Sequence, residues 1–151
     1  MAEINIDIVI RVLKYDSDDY QQELELRDEV LRKPLGMSIY NDRLEADKTD
    51  THIGAFVGEE LVGVLVLTRV SETEVKMRQV AVAEKMQSQH VGTRMVDFAE
   101  RFARAAGYTI ILLHARKTAV PFYKKQGYCI LGEEFLEINI PHYNMHKLIG
   151  L

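Results

Sequence analysis

Apolar positions along this chain switch between a period of two and a helical period, and the switches mark out its elements. Ile6 to Leu13 is rich in β-branched residues and predicts a first strand. Asp18 or Asp19 can cap a helix carrying Leu24, Leu26, Val30 and Leu31, which Pro34 and Gly36 end. Met37 to Asp50 is polar and acidic, so it predicts loop with a short helical turn. His52 to Phe56 and Leu61 to Val70 read as strands joined by the hairpin turn Val57-Gly58-Glu59-Glu60, with Val75 to Val82 pairing back as the next. Val91, Met95, Phe98, Ala99, Phe102 and Ala106 recur at helical spacing, predicting a helix from about His90 to Ala106 that closes at Gly107. Tyr108 to His114 is apolar on both faces through Ile110, Ile111, Leu112 and Leu113, as a strand deep in a sheet should be. A short helix over Ala119 to Lys125 stops at Gly127, and strands at Tyr128 to Leu131 and Tyr143 to Ile149 complete the pattern. This order predicts an α/β (α+β) fold, a mixed sheet with helices on both faces. There is no repeat or Pro/Gly/Ser-rich linker, so residues 1–151 are expected to form a single domain.

Composition narrows the classes. An apolar fraction of 47% and a charged fraction of 28% are those of a soluble globular protein. A net charge of −4 provides no field that would draw the chain to nucleic acid or to an anionic membrane, and neither partner is expected. The single cysteine, Cys129, excludes an internal disulfide and a cysteine-based zinc site. Its neighbours Tyr128, Ile130 and Leu131 predict a small buried hydrophobe rather than a nucleophile. Met1 to Arg11 contains Glu3 and Asp7 and lacks the basic start of a signal peptide, and no apolar run could span a bilayer, so the cytoplasm is the default expectation. Of the five histidines, His142 and His146 lie four apart, but no third ligand stands at metal-site spacing, so no metal is expected.

The stretch Gln87-Ser88-Gln89-His90-Val91-Gly92-Thr93 joins a strand to a helix start. The first amides of a helix have no carbonyl to bond within it, and together with the helix dipole they bind anions. The chain lacks the Gly-Lys-Ser/Thr ending of a nucleotide-hydrolase loop and the spaced glycines of a dinucleotide fingerprint. On loop chemistry alone, a phosphate site and an ordinary turn both remain open.

Two segments resemble the GNAT superfamily of acyl-CoA-dependent N-acyltransferases. Gln87-Ser88-Gln89-His90-Val91-Gly92 is similar to that family's Arg/Gln-x-x-Gly-x-Gly/Ala turn at Gln87 and Gly92, with His90 in place of the first glycine. Ala119-Val120-Pro121-Phe122-Tyr123-Lys124-Lys125-Gln126-Gly127-Tyr128 resembles its Ala-x-x-Phe-Tyr-x-x-x-Gly-Tyr/Phe helix and turn, the more specific match. The tail from Glu134-Phe135 through Ile140-Pro141-His142 to Met145 is similar to a small-protein branch. The resemblance implies a mostly antiparallel sheet, acetyl-CoA as co-substrate, an amine acceptor (small molecule or peptide) and a possible homodimer. Backbone amides from Gln89 to Thr93 would grip the pyrophosphate, with Gln87 and Ser88 in the same turn. His90 cannot mimic the φ freedom of glycine, although its ring can donate to phosphate. Val80 and Val82, flanking Ala81, would pair with the amides of pantetheine as an added strand does. His114 and Phe122 are counted with the cofactor-binding residues.

Tyr123 is the residue the resemblance assigns to chemistry, protonating the departing thiolate or holding the sulfur. A phenol with an ordinary pKa near 10 is a competent donor for that step. Read from spacing alone, Tyr123 would simply pack beside Phe122. The family's glutamate base has no counterpart, because Arg78 stands in the matching neighbourhood. Glu72, Glu74, His114, His142 and a water relay all remain open as the base. An acidic set of Glu45, Asp47, Asp50, Glu133, Glu134 and Glu137 would favour a cationic acceptor, or would be plain solvated surface. Direct transfer without a covalent enzyme intermediate is the leading expectation, and a non-catalytic acyl-CoA sensor of the same fold is the alternative.

Overall fold

Strands β1 (Ile8–Leu13), β2 (Thr51–Val57), β3 (Glu60–Arg69), β4 (Glu74–Val82), β5 (Ile110–Arg116), β6 (Cys129–Glu137) and β7 (Ile140–Leu148) form one seven-stranded sheet in a computed structural model. The structure describes residues 7–150, so the predicted start of the first strand at Ile6 lies outside the described residues. Strand order is β1-β2-β3-β4-β5-β7-β6. β4 and β5 run parallel, whereas β1 with β2, β2 with β3, β5 with β7 and β6 with β7 are antiparallel. Helices α1 (Asp18–Arg27), α2 (Val91–Ala105) and α3 (Val120–Lys125) complete the mixed, mostly antiparallel α/β fold. The chain divides into two compact units, one containing Gln79–Phe98 with the residues up to Leu67, the other Thr68–Arg78 with the residues from Ala99 onward.

In the first unit, β2 turns into β3 through Gly58 at φ +60°, a conformation that glycine adopts without steric penalty. Ile53, Ala55, Val64 and Val66 of these strands are fully buried, as are Met95 and Val96 of α2. Gly63 on β3 permits a close approach: a Cβ there would stand 2.9 Å from Val91 Cγ1 and 3.0 Å from the end of Met95. The N-cap of α1 is Ser17, so Asp18 and Asp19 sit in the first turn, where their charge suits the helix dipole. The chain stays helical beyond Arg27 through a π turn at Asp28–Arg32 and a 3-10 turn at Lys33–Leu35. Gly36, left-handed at φ +71°, then ends it where Pro34 and Gly36 predicted.

In the second unit, β5 is central, with Glu74–Met77 of β4 on one side and β7 on the other. Ile111, Leu113 and Ala115 of β5 are buried, as are Ala103 of α2 and Met145 of β7. α2 stops at Gly107, φ +96°, whose N–H donates to Arg104 O at 3.1 Å while that of Tyr108 donates to Ala103 O at 3.0 Å. β6 and β7 are longer than their apolar runs predict and meet at Ile138-Asn139, both left-handed at φ 47° and 60°. That is the twist a two-residue hairpin loop requires, here made without glycine. Cys129 is exposed, contrary to the expected burial, because β6 is the outermost strand and meets solvent along most of its length.

Candidate functional site

β4 ends in an irregular stretch that leads to the loop. Gln79 has φ +55° in mid-strand, and its side-chain Oε1 accepts from Arg27 Nε at 3.3 Å. Ala81 is buried beside Leu13, Leu26, Phe56, Leu61 and Val64, with Val80 and Val82 half-buried on either side of it. The Ala83 N–H donates to Val62 O at 2.8 Å and fixes the strand end. A 3-10 turn, Glu84–Met86, anchors the loop through buried Met86. Gln87 Nε2 reaches back to Val82 O at 3.4 Å.

Gln87, Ser88, Gln89 and His90 are exposed. The backbone N–H of Gln87 donates to Glu84 O, and that of Gln89 donates to Met86 O at 3.1 Å. The Gln89 amide is thus engaged within the turn itself. His90 adopts φ +61°, so it takes up the left-handed conformation that was expected to need a glycine. Its carbonyl accepts from Arg94 N–H at 3.1 Å. Val91, Gly92 and Thr93 therefore form the first turn of α2, the helix end toward which the positive pole of the dipole points. Val91 is buried over Gly63, and Arg94 donates to Ile8 O at 2.9 Å, so this helix start is held at two points.

Beside the Gln79 kink lies a buried polar set that the hydrophobic pattern did not reveal. Glu23, Arg27, Asp47 and His52 are 0%, 1%, 2% and 1% exposed. Arg27 Nη1 donates to Glu23 Oε2 at 2.9 Å and to Asp47 Oδ2 at 2.8 Å, while the Tyr20 hydroxyl donates to Asp47 Oδ2 at 2.7 Å. His52 bonds Glu23 Oε2 through Nδ1 at 2.7 Å and Asp47 O through Nε2 at 2.8 Å. Burial alone would push the His52 pKa down, but the hydrogen bonds and charges of Glu23 and Asp47 outweigh it and raise the value. Asp47 thus does not belong to an open acidic face. Glu23 Oε1 is buried with no hydrogen-bond partner among the described residues.

The second unit holds the remaining candidates. Tyr123, on α3, is 7% exposed, and loss of water pushes its pKa up to about 12. Its ring meets Phe122 edge-on at 5.0 Å and Tyr128 at 5.8 Å. The Tyr128 hydroxyl donates to Glu100 Oε2 at 3.0 Å, and Lys147 Nζ donates to Glu100 Oε1 at 2.8 Å and to Gln126 O at 2.7 Å. These bonds tie α2, β7 and the turn after α3 together around Tyr123. The β4–β5 ladder ends at Met77↔Leu113, one residue before His114.

His114 Nδ1 bonds Glu137 Oε1 at 2.9 Å, and His142 Nε2 lies 3.4 Å from Glu137 Oε2. His142 sits in β7, and its Nδ1 bonds Ile140 O at 2.7 Å. Glu137 was read as one of an acidic set, either favouring a cationic acceptor or plain solvated surface; nothing in the apolar pattern announces the β6 extension that brings it to two histidines. Glu74 Oε1 accepts from Ser71 Oγ at 3.2 Å, which gives it a local turn role. Among the described residues no three His, Cys, Asp or Glu side chains gather as a metal site would. No helix among them is long and apolar enough to cross a membrane.

A family model described as an acetyltransferase (GNAT) domain matches residues 17–149. The uncharacterized N-acetyltransferase YjcF of Bacillus subtilis is 31% identical over 137 residues, covering 90% of this chain and 97% of that protein. Among solved structures, a putative N-acetyltransferase from Lactobacillus plantarum superposes with a TM-score of 0.85 at 19% identity, covering 94% of this chain and 98% of its own. An aminoglycoside 6'-N-acetyltransferase complexed with coenzyme A superposes with a TM-score of 0.80 at 18% identity over 93% and 97%. A domain model and a nearly full-length relative point the same way, and the chain belongs to the GNAT family of acetyltransferases.

Proposed function

We propose that this protein transfers the acetyl group of acetyl-CoA to a primary amine by direct attack, with the whole chain acting as one acyltransferase domain. The observation that carries the reading is the start of α2. A left-handed residue, His90, turns the chain into a helix whose first amides lie next to an exposed loop, and anions favour such ends. Val91, Gly92 and Thr93 hold the pyrophosphate, with His90, Ser88 and the Gln87 side of the loop around it. Val80, Ala81 and Val82 run alongside pantetheine. His114 and Phe122 lie toward the acyl end. Coenzyme A bound to a structural neighbour supports this class of co-substrate.

Tyr123 serves the leaving sulfur. When the amine adds to the thioester carbonyl and the C–S bond breaks, the electron pair goes to sulfur. The buried phenol hydroxyl stabilises that charge by donating a hydrogen bond or its proton. A phenol held near pKa 12 is a stronger hydrogen-bond donor to a developing thiolate than a proton source, so its contribution is modest. Thiol release, measured with acetyl-CoA across an amine panel that includes aminoglycosides, tests the reading. Turnover with one or more amines supports it. Saturable acetyl-CoA binding with no turnover would replace it by the sensor alternative.

A further inference from the structure

We propose that His114 is the general base that deprotonates the acceptor amine, held in the required tautomer by Glu137, with His142 set against the other oxygen of that carboxylate. The proposal rests on the acetyltransferase reading and names the group that reading leaves open.

The register brings the three side chains together. β5 and β7 pair His114 with Asn144 and Arg116 with His142, so the two histidines are diagonal neighbours on one face of the sheet. β6 and β7 pair Phe135 with His142 and Glu137 with Ile140, placing the carboxylate on the same face. The Phe135 ring stands edge-on to His114 at 5.1 Å and tilted against His142 at 5.9 Å, which restricts both imidazoles.

Hydrogen-bond chemistry then assigns the protons. An ionised carboxylate and a backbone carbonyl are acceptors only. Glu137 at 2.9 Å therefore places a proton on His114 Nδ1, and in the neutral ring Nε2 carries the lone pair. His142 stands beside the pair, with Nδ1 2.7 Å from Ile140 O and Nε2 3.4 Å from Glu137 Oε2. Partial burial works against ionisation of Glu137. The hydrogen bond from His114 and the electrostatic surroundings set by His114, His142 and Lys76 outweigh it and hold the carboxyl below its usual range. His142 is buried while the His114 side chain is 31% exposed, so His114 is the member open to a substrate. Its strand also passes the end of the β4–β5 ladder at Leu113.

The step balances. A primary amine arrives as ammonium, and His114 Nε2 takes one proton to free the lone pair. Nitrogen forms the C–N bond, the C–S bond breaks, and the sulfur leaves with the amine's second proton, directly or through the Tyr123 hydroxyl. His114 then returns its proton to water. The net reaction is ammonium plus thioester giving amide, thiol and one proton.

The test measures kcat and kcat/KM against pH for wild type, His114→Gln and Glu137→Gln, with acetyl-CoA affinity taken from thermal shift. His114→Gln should lower kcat by about 10²–10⁴-fold, with acetyl-CoA affinity within a few fold. Glu137→Gln keeps the shape but removes the negative neighbour, so the acidic limb of kcat/KM should move to lower pH with a smaller loss of kcat. The groups that bear on the Glu137 carboxylate besides His114 are His142 on β7 and Lys76 on β4, and both remain in that variant. A His114→Gln enzyme with wild-type kcat, or an unmoved acidic limb in Glu137→Gln, overturns the proposal while leaving the transferase reading intact. A wild type that turns over no amine overturns both. Should His114→Gln fail to fold, the limb shift in Glu137→Gln decides alone.

Discussion

Tyr123 keeps its proton to about pH 12, so any basic limb in the rate profile below that value belongs to another group. Tyr123→Phe should retain fold and acetyl-CoA affinity, and turnover should fall by about tenfold to a hundredfold, the lower end of acid–base contributions. Pre-steady-state rates of the chemical step would show this, and an undiminished rate would remove the hydroxyl from the mechanism. His52 provides a second residue-level expectation. Its folded pKa lies above the unfolded value of 6.5, so its pairing with Glu23 stabilises fully below that pH and fades as pH rises through the folded value. The melting-temperature gap between wild type and His52→Gln should therefore be widest below the unfolded value of 6.5 and narrow as pH rises above it. A gap that grows with pH would contradict the pairing. Tyr123 was legible because a fixed motif surrounds it. Glu23 and Arg27 were not, because charges four apart on a helix read as a solvated pair, and only the tertiary contact with Asp47 shows them buried.

Among the elements, the helix of residues 91–105 and the inner strands were legible from period alone, since long apolar repeats leave few ways to bury them. The β6–β7 hairpin was not, because its turn uses Ile138-Asn139 in place of a glycine pair and its strand faces are largely polar. The start of α2 depends on a glycine that is easily overlooked. Gly63→Val would drive a side chain into Val91 and Met95, so it should destabilise the fold by about 1–3 kcal/mol and also displace the first-turn amides. Gly92→Val acts differently: it should weaken acetyl-CoA binding more than folding, because the added branch stands beside the anion rather than in the core. Urea melts and calorimetric titration separate the two. Normal acetyl-CoA binding by Gly92→Val would place the phosphate elsewhere.

For the molecule as a whole, ligand linkage offers the broadest check. Acetyl-CoA at a hundredfold excess over Kd should stabilise by about 2.7 kcal/mol, which for a chain of this size is a rise of roughly 5–10 °C in Tm. ATP and NAD should do much less, and equal shifts from all three would indicate unselective anion binding. The class of fold could be read from the order of elements, whereas the division into two units could not, because no composition change marks it. The path of the chain through those units has a consequence for how it can be cut. The backbone crosses between them at Leu67–Thr68, at Arg78–Gln79 and within α2 at Phe98–Ala99. No single cleavage can release either unit as an uninterrupted polypeptide. A protease nick in any one loop should leave two pieces that co-migrate under native conditions, and neither piece alone should be expressible as a folded protein.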